Sequence, residues 1–349
     1  MNDLEQRFRD QAEHCRVSGS LLTATLLTGA ADDLAAGGIT ADLLAPHADD
    51  PVGSVPSLRF AGALHRLVLE RRAPELALHY PSVGGTAAVE QVWPVALETV
   101  REHLSDLRLL MRRPVQTNET GRSAVLFGGL LMLDGPVRLL EIGSSAGLNL
   151  RCDAFAYDLG AGTLLGDPSS PVRLERPWEG QWPSGPAPQI VSRRGCDPAP
   201  IDPLTTEGRL TLTSYVWADQ VPRLERLRGA LALAERIPAT VEPLGALDFL
   251  TRELSELPEG VTTVVWHSVV WQYVDPAERR AVDALLERAG ARATESNPLV
   301  RLSLEPEKDD GVVTFRVKAR RWPGGDVTHL ADALGHGPPV LWTGERITS

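Results

Sequence analysis

The residues best suited to chemistry surround a short glycine turn in the middle of the 349-residue chain. An apolar run ends with Glu141 and Ile142, and Gly143 and Gly147 follow with three small residues between them. Glycine lets a backbone approach a ligand closely, and the start of a helix offers free N–H groups to it. The pattern therefore predicts the first strand, turn and helix of a nucleotide-binding βα unit.

The spacing within this turn indicates which nucleotide is bound. A dinucleotide site uses G-x-G-x-x-G, whereas Gly143 and Gly147 have three residues between them. Acid-x-Gly-x-x-x-Gly is similar to the first motif of S-adenosylmethionine-dependent methyltransferases. That resemblance implies a loop that passes the methionine part of a cofactor without a phosphate. The alternative is a tight turn in some other α/β sheet.

A carboxylate on the neighbouring strand would complete such a site. Residues 189–197 are predicted as the second strand, and an acid at its end can accept hydrogen bonds from both ribose hydroxyls. Asp197 is the predicted ribose ligand, Asp202 is the fallback, and a turn before Pro198 is the structural alternative. Asp197 follows Gly147 by 50 residues, so an insertion must account for the excess over the usual interval of ~20. The predicted cofactor-binding residues are Glu141, Gly143, Ser144, Ser145, Ala146, Gly147, Asn149, Asp197 and Ser268.

A polar cluster precedes the turn and contains Asn118, Glu119 and Arg122, ahead of an apolar stretch at 124–133. The functional interpretation is that this cluster lines the pocket over the cofactor, with Glu119 among the catalytic candidates and Asn118 and Arg122 among the substrate contacts. The structural alternative is that Asn118 or Thr120 caps a helix, while Glu119 and Arg122 pair on one helix face.

Two further catalytic candidates, His267 and Tyr273, follow the best buried-strand pattern of the second half, at 261–266. Residues just past the carboxyl ends of strands in an open α/β sheet face the ligand crevice. Either side chain can orient or deprotonate a methyl acceptor. The alternative for His267 is a packed, hydrogen-bonded core residue.

The last candidates are Asp219, as a catalytic residue, and Gln220, as a substrate contact. They follow residues 210–217, whose alternation predicts a strand, and precede a helix predicted at about 221–236. The alternative is that Asp219 simply caps that helix.

The elements that position these residues fall into two predicted domains. Residues 1–115 predict an all-helical domain or cap, because Leu4, Phe8, Ala12 and Cys15 recur at helical spacing. Residues 116–349 predict a doubly wound, mostly parallel α/β domain. An insertion at about 153–188, predicted as a loop or small hairpin, can cover the pocket.

The tail of the chain predicts an antiparallel edge for that sheet. Two strands, at 299–305 and 312–320, are joined tightly enough to be antiparallel. A short helix at 330–334 and a last strand near 340–342 follow.

Composition narrows the class of partner. The chain carries a net charge of −11 with 43% hydrophobic residues, which predicts a sizeable core and argues against nucleic acid and anionic membranes. Three separated cysteines give no zinc-site spacing and fit a reduced cytosol. The N-terminus is charged, and no run approaches the ~18 apolar residues of a membrane span. We expect a small-molecule substrate, no metal and a cytoplasmic location; the oligomeric state stays open.

Several segments together resemble a bacterial family catalogued only as a domain of unknown function, and the resemblance covers nearly the whole chain. Its core is similar to a class I methyltransferase. One departure is residues 244–246, where related sequences tend to carry Gly-Asp-Ala at the predicted adenine contact. The tail also lacks the long helix that usually precedes the final methyltransferase hairpin. The segments are 116–119 with Arg122, 141–150, 193–197, 217–220, 267–273, 322–325 and 336–337.

The resemblance implies an S-adenosylmethionine-dependent methyltransferase that acts on a small molecule by in-line methyl transfer. The alternative is a non-catalytic nucleoside-binding or regulatory protein that retains the fold. A nicotinamide-dependent oxidoreductase is a third hypothesis, which the spacing of Gly143 and Gly147 and the presence of Ser145 argue against.

Overall fold

A computed structural model describes residues 3–309, 312–345 and 347. The chain divides into two compact units. We call Met1–Thr117 with Thr205–Glu225 the helical unit, and Asn118–Leu204 with Arg226–Ser349 the α/β unit. The helices are α1 (Asp3–Val17), α2 (Leu21–Ala35), α3 (Ile39–Leu44), α4 (Pro56–Leu69), α5 (Pro74–Ala77), α6 (Val92–Glu102), α7 (Leu104–Leu110), α8 (Ser123–Leu130), α9 (Thr206–Ser214), α10 (Val221–Ala234), α11 (Ala246–Glu253) and α12 (Pro276–Gly290). The strands are β1 (Pro136–Ile142), β2 (Ala156–Gly160), β3 (Thr163–Gly166), β4 (Arg173–Glu175), β5 (Trp178–Gly180), β6 (Gln189–Cys196), β7 (Thr240–Glu242), β8 (Thr262–Ser268), β9 (Leu299–Asp309), β10 (Val312–Trp322), β11 (Val327–Leu334) and β12 (Gly337–Trp342).

The helical unit forms because apolar residues recur at helical spacing along its first helices. In α1, the side chains of Leu4, Phe8, Ala12 and Cys15 are all buried, as that spacing predicts. They join one apolar cluster with residues from α2, α4 and α6. The predicted helical N-terminal region is therefore confirmed.

One element of this unit was predicted wrongly. Residues 210–217 were expected to form a strand, but most of them lie in α9 and in the turn that follows it. The Thr205 side chain caps this helix by accepting a hydrogen bond from Gly208 N at 3.0 Å, and Thr211 and Leu212 are buried. Capping and burial therefore outweigh the strand preference of the Thr, Tyr, Val and Trp residues in this segment.

The α/β unit is built on a nine-stranded sheet with the order β7-β6-β1-β8-β9-β10-β11-β12-β5. Strands β7, β6, β1, β8 and β9 are parallel, whereas β9 to β12 pair antiparallel. The predicted α/β class with an antiparallel C-terminal part is confirmed. Numbered along the chain, the five parallel strands have the spatial order 3-2-1-4-5. That order is typical of doubly wound nucleotide-binding sheets, and it reverses between β1 and β8.

Helices cover the parallel strands on both faces. Leu140 and Ile142 of β1 pack in one apolar cluster with residues of α11 and α12. Successive side chains of a strand point to opposite faces, so Glu141 points to the other side of the sheet. There α8 lies so close to β9 that a Cβ on Gly129 would be 2.5 Å from Leu302.

The insertion at 153–188 contains more structure than the predicted loop or hairpin. Strands β2, β3 and β4 form a separate three-stranded sheet, and β5 pairs with β12 at the edge of the large sheet. Three stacked aromatic rings connect the insertion to α8. The Tyr157 ring lies 4.2 Å from Phe127 and 5.4 Å from Trp178, measured between centroids.

The helix predicted at 330–334 is a second error, because these residues lie in β11. That strand has partners on both sides, β10 and β12, and the two ladders satisfy its backbone groups. Within the described residues, no helix combines the length and the apolar character that crossing a membrane requires.

Candidate functional site

The register of the sheet brings three strand ends together. Ile142, at the end of β1, is paired with Cys196 of β6 on one side and with His267 of β8 on the other. The residues that follow, Gly143, Asp197 and Ser268, therefore start from the same sheet edge, beside the point where the strand order reverses.

The glycine turn, residues 143–147, is held by its own backbone. Gly143, Ser145 and Gly147 all have positive φ, at +67°, +52° and +65°, and Ser145 is the residue for which this conformation is least expected. Ser144, which is fully buried, donates from its N–H to Cys196 O and from Oγ to Glu141 O. The buried Ala146 completes the turn. The turn is therefore a fixed feature of the fold.

The space beside both glycines is filled by valine side chains. A Cβ on Gly143 would lie 2.3 Å from Val270 Cγ2, and a Cβ on Gly147 would lie 2.7 Å from Val241 Cγ2. Real Cβ atoms do not come so close, so both positions require glycine. In this conformation the space that the two glycines leave open is occupied by Val270 and Val241.

Asp197 is nearly buried, and its carboxylate supports the turn. One oxygen accepts from Ser145 N at 3.0 Å, and the other accepts from Ala199 N at 2.9 Å. Asp197 therefore has the turn-stabilising role that was the structural alternative for it. Each carboxylate oxygen has a second lone pair, so these bonds leave the ribose prediction untested. Asp202 accepts from Leu204 N in a local turn.

Glu141 is the most perturbed acid at this edge. It is 2% exposed, and burial raises its pKa to about 8, against the opposing effects of Trp266, Arg122 and Arg151. By distance and angle its Oε2 atom makes no hydrogen bond with the residues that the structure describes, although the indole N–H of Trp266, which is likewise unpaired among them, lies close enough to lower the pKa of Glu141. A buried polar atom of this kind is costly unless something pairs with it.

The segment after the turn, where a helix was predicted, is a kinked 3₁₀ segment (Leu148–Ala154), and the polar cluster surrounds its start. Asn118 Oδ1 accepts from Leu148 N at 2.8 Å, and Asn149 Nδ2 donates to Glu119 O at 3.2 Å. The Glu119 carboxylate accepts from Gly121 N. Arg122 donates to Gly335 O and to Ser268 O, so it connects the cluster to the end of β8.

Because Asn118 satisfies a backbone N–H at a helix start, we expect N118A to lower the free energy of unfolding by ~1 kcal/mol. N118D keeps the acceptor oxygen and is expected to stay within a few tenths of a kcal/mol of the wild type. Urea unfolding followed through amide exchange in β1 measures both variants. Equal losses in the two variants would contradict the capping role.

His267 is buried, and both of its ring nitrogens are engaged. Nδ1 lies 2.7 Å from Glu305 Oε1, and Nε2 lies 3.1 Å from Arg301 Nε. Arginine can only donate, so Nε2 accepts and the proton is on Nδ1. Burial lowers the pKa of His267, although Glu305 opposes the shift. The ring is therefore neutral and fixed, and it stacks on Trp271 at 4.6 Å.

The remaining predicted residues are Tyr273, Asp219 and Gln220. Tyr273 is 54% exposed, in a short 3₁₀ turn after β8. Asp219 and Gln220 belong to the helical unit. There Asp219 accepts from Leu22 N at 2.9 Å and from Ser20 Oγ, so it caps α2 and not the helix that follows it in sequence. Gln220 donates to Gly19 O at 2.8 Å.

The sequence interpretation missed Glu305 and Arg301. Arg301 bonds His267 and also pairs with Asp283 at 2.7 Å. Charged residues inside the otherwise apolar strand at 299–305 were a usable signal, because a strand can carry charges in a core only when they are paired.

No cluster of three or more metal-binding side chains occurs in the part of the chain that the structure covers. A family model described as "uncharacterized protein conserved in bacteria", DUF2332, matches residues 5–342. No curated protein and no solved structure matches the chain.

Proposed function

The chain belongs to the DUF2332 family of bacterial proteins, and on the geometry of the sheet edge we propose that it binds S-adenosylmethionine and transfers the methyl group to a small molecule. The observation that carries the proposal is the buried Glu141 carboxylate at the strand-order reversal, with one oxygen unpaired among the described residues.

A second unpaired atom supports the same chemistry. Asn149 Oδ1, on the other side of the glycine turn, is buried and has no partner in the described part of the chain. Asn149 Oδ1 only accepts hydrogen bonds, and Glu141 Oε2 only accepts when the carboxyl is ionised. A cationic donor, such as the ammonium group of an amino acid, would favour the ionised Glu141 and could pair with both atoms.

The residues present fit the proposed cofactor at both ends. Glu141 and Asn149 would hold the methionine amine, and Asp197 would hold the ribose through its remaining lone pairs. Bound there, the sulfonium supplies an activated methyl group. The net charge of −11 favours a small-molecule acceptor over nucleic acid.

The chain's own residues would orient the reactants. His267 holds its proton on Nδ1 toward Glu305, so it acts as a positioning residue for the end of β8. Glu119 is connected to the proposed amine site because its backbone carbonyl accepts from Asn149. Its role would be to orient an acceptor or accept its proton.

Calorimetric titration with S-adenosylmethionine and with S-adenosylhomocysteine tests the proposal. We expect both to bind at one site per chain. D197A should weaken both, because it removes the ribose acceptor, whereas D202A should change neither. Absence of binding at millimolar concentration would overturn the proposal.

The raised pKa of Glu141 gives a second measurable signal. Its pKa of about 8 leaves the acid mostly protonated at pH 7. An ammonium partner favours the carboxylate, so binding at pH 7 should release roughly one proton per chain. Titrations in buffers of different ionisation enthalpy measure this number. The isosteric E141Q variant should release none, and equal release by both proteins would assign the proton to another group.

A non-catalytic binding protein is the second candidate, and the engagement of the predicted acid–base residues favours it. Both nitrogens of His267 are occupied, Asp219 caps α2, and Tyr273 is exposed. Incubation with methyl-labelled cofactor and a bacterial small-molecule extract separates the two candidates. Label transfer supports catalysis, whereas binding without transfer supports the alternative.

A further inference from the structure

The segment that follows β8 has an unusual backbone. Val269 has a φ of +51°, a left-handed conformation that a β-branched residue rarely adopts. Residues 268–271, which we call the cover turn, continue directly from the sheet edge that carries the candidate site. A conformation of this kind persists only where neighbouring groups enforce it.

Several hydrogen bonds enforce this conformation. Val269 N donates to Leu304 O at 2.8 Å, and Arg122 donates to Ser268 O. Glu305 Oε1 accepts from Val270 N and Trp271 N, each at 3.3 Å, and from His267 Nδ1 at 2.7 Å, and Oε2 also accepts from Trp271 N at 3.3 Å. The three contacts from Glu305 to the cover turn are long and therefore weaker than its short bond to His267, which Arg301 fixes from the far side.

The cover turn places a side chain over the glycine turn. Val270 fills the space that Gly143 leaves open, with Cγ2 2.3 Å from the position of a Cβ there. This is the point at which a nucleoside must approach the backbone if the glycine turn binds one. Val270 therefore stands where the ligand would enter.

We propose that the cover turn is a gate over the nucleoside site and that Glu305 is its latch. This inference rests on the proposed function. Opening breaks the three long contacts from Glu305 to Val270 N and Trp271 N and the bond from Val269 N to Leu304 O, relaxes Val269 and withdraws Val270 from Gly143. The short bond between Glu305 and His267 stays in place, so the base of the gate keeps its position while the turn moves.

The latch can be tested without any ligand. E305Q replaces the carboxylate with a group that accepts less strongly, and we expect amide exchange at Val270 and Trp271, whose N–H groups Glu305 accepts, to accelerate about tenfold. E307Q is the matched control, because Glu307 lies two residues along β9 and pairs with Lys318; exchange in the cover turn should stay unchanged. Unchanged exchange in E305Q would overturn the latch.

The gate is tested by the rate of association. V270A shortens the covering side chain, and we expect S-adenosylhomocysteine to associate about tenfold faster in stopped-flow experiments, with V327A, at an exposed position of β11, as the control. Binding with an unchanged association rate in V270A would overturn the gate. If no variant binds the nucleoside, the proposed function fails, and the exchange experiment still decides whether Glu305 holds the cover turn.

Discussion

E141Q is expected to stabilise the α/β unit strongly at alkaline pH. Burial raises the pKa of Glu141 from 4.5 to about 8, so the folded protein holds this proton more tightly than the unfolded chain does. Stability from this group is fully present below pH 4.5 and is lost as the pH rises through 8. The neutral amide avoids that loss, which amounts to roughly 3–5 kcal/mol at pH 9.

The measurement is the free energy of unfolding at several pH values, from urea titration with amide exchange in β1 as the probe. The difference between E141Q and the wild type should grow from pH 5 to pH 9. E253Q is a control of opposite sign. Burial of Glu253 is outweighed by Arg138 and Arg252, which lower its pKa, so that variant should lose stability at neutral pH. A difference for E141Q that does not vary with pH would contradict the buried, protonated state of Glu141.

The second large effect is expected at Gly337. Its φ is +95°, and a Cβ there would lie 2.4 Å from Gly121 O and 2.5 Å from Gly121 C. In G337A an alanine must adopt the left-handed conformation, and its Cβ must push two backbone segments apart. Together these effects should lower the free energy of unfolding by ~3–5 kcal/mol. Displacing Gly121 also moves the segment that carries Asn118 and Arg122. The hydrogen bond from Leu148 N to Asn118 Oδ1 should therefore weaken.

G162A separates the two contributions. Gly162 has a φ of +83° with nothing within 4 Å of its Cβ position. The free energy of unfolding of this variant should therefore fall only by the conformational contribution of ~1–2 kcal/mol. Thermal unfolding of both variants, with amide exchange at Leu148 as the local probe, gives the comparison. Equal losses would show that the contact with Gly121 does not contribute.

Short sequence patterns were sufficient to predict those elements whose own residues carry the whole pattern. The run that ends at Ile142 and the glycine turn that follows it were both predicted close to their observed bounds. Each combines an apolar period with a turn residue or a proline at its boundary. The helical period of α1 is similarly self-contained.

Tertiary pairing decided the elements that were predicted wrongly. Residues 330–334 have a helix-forming composition, but β10 and β12 flank them and supply their hydrogen bonds. Residues 210–217 have a strand-forming composition, but the Thr205 cap and burial make most of them a helix. Partners distant in sequence settle both cases, and a local window does not contain them.

The same limit applies to the candidate site. The residue types around Gly143 could be recognised from their spacing, because they lie on one strand and one turn. The occupied state of His267 depends on Arg301 and Glu305, which lie more than 30 residues later on the next strand, β9. A sequence window around His267 gives no sign that its nitrogens are engaged.

The pairing of β5 with β12 has a consequence for synthesis. β5 belongs to the insertion, whereas β12 comes after every other strand of the sheet, so β12 leaves the ribosome long after its partner. Until then the three residues of β5 have no ladder to join, and closing so long a loop is slow. We therefore expect the aromatic stack on Trp178 to form early and to keep this part of the nascent chain in place until the last strand arrives.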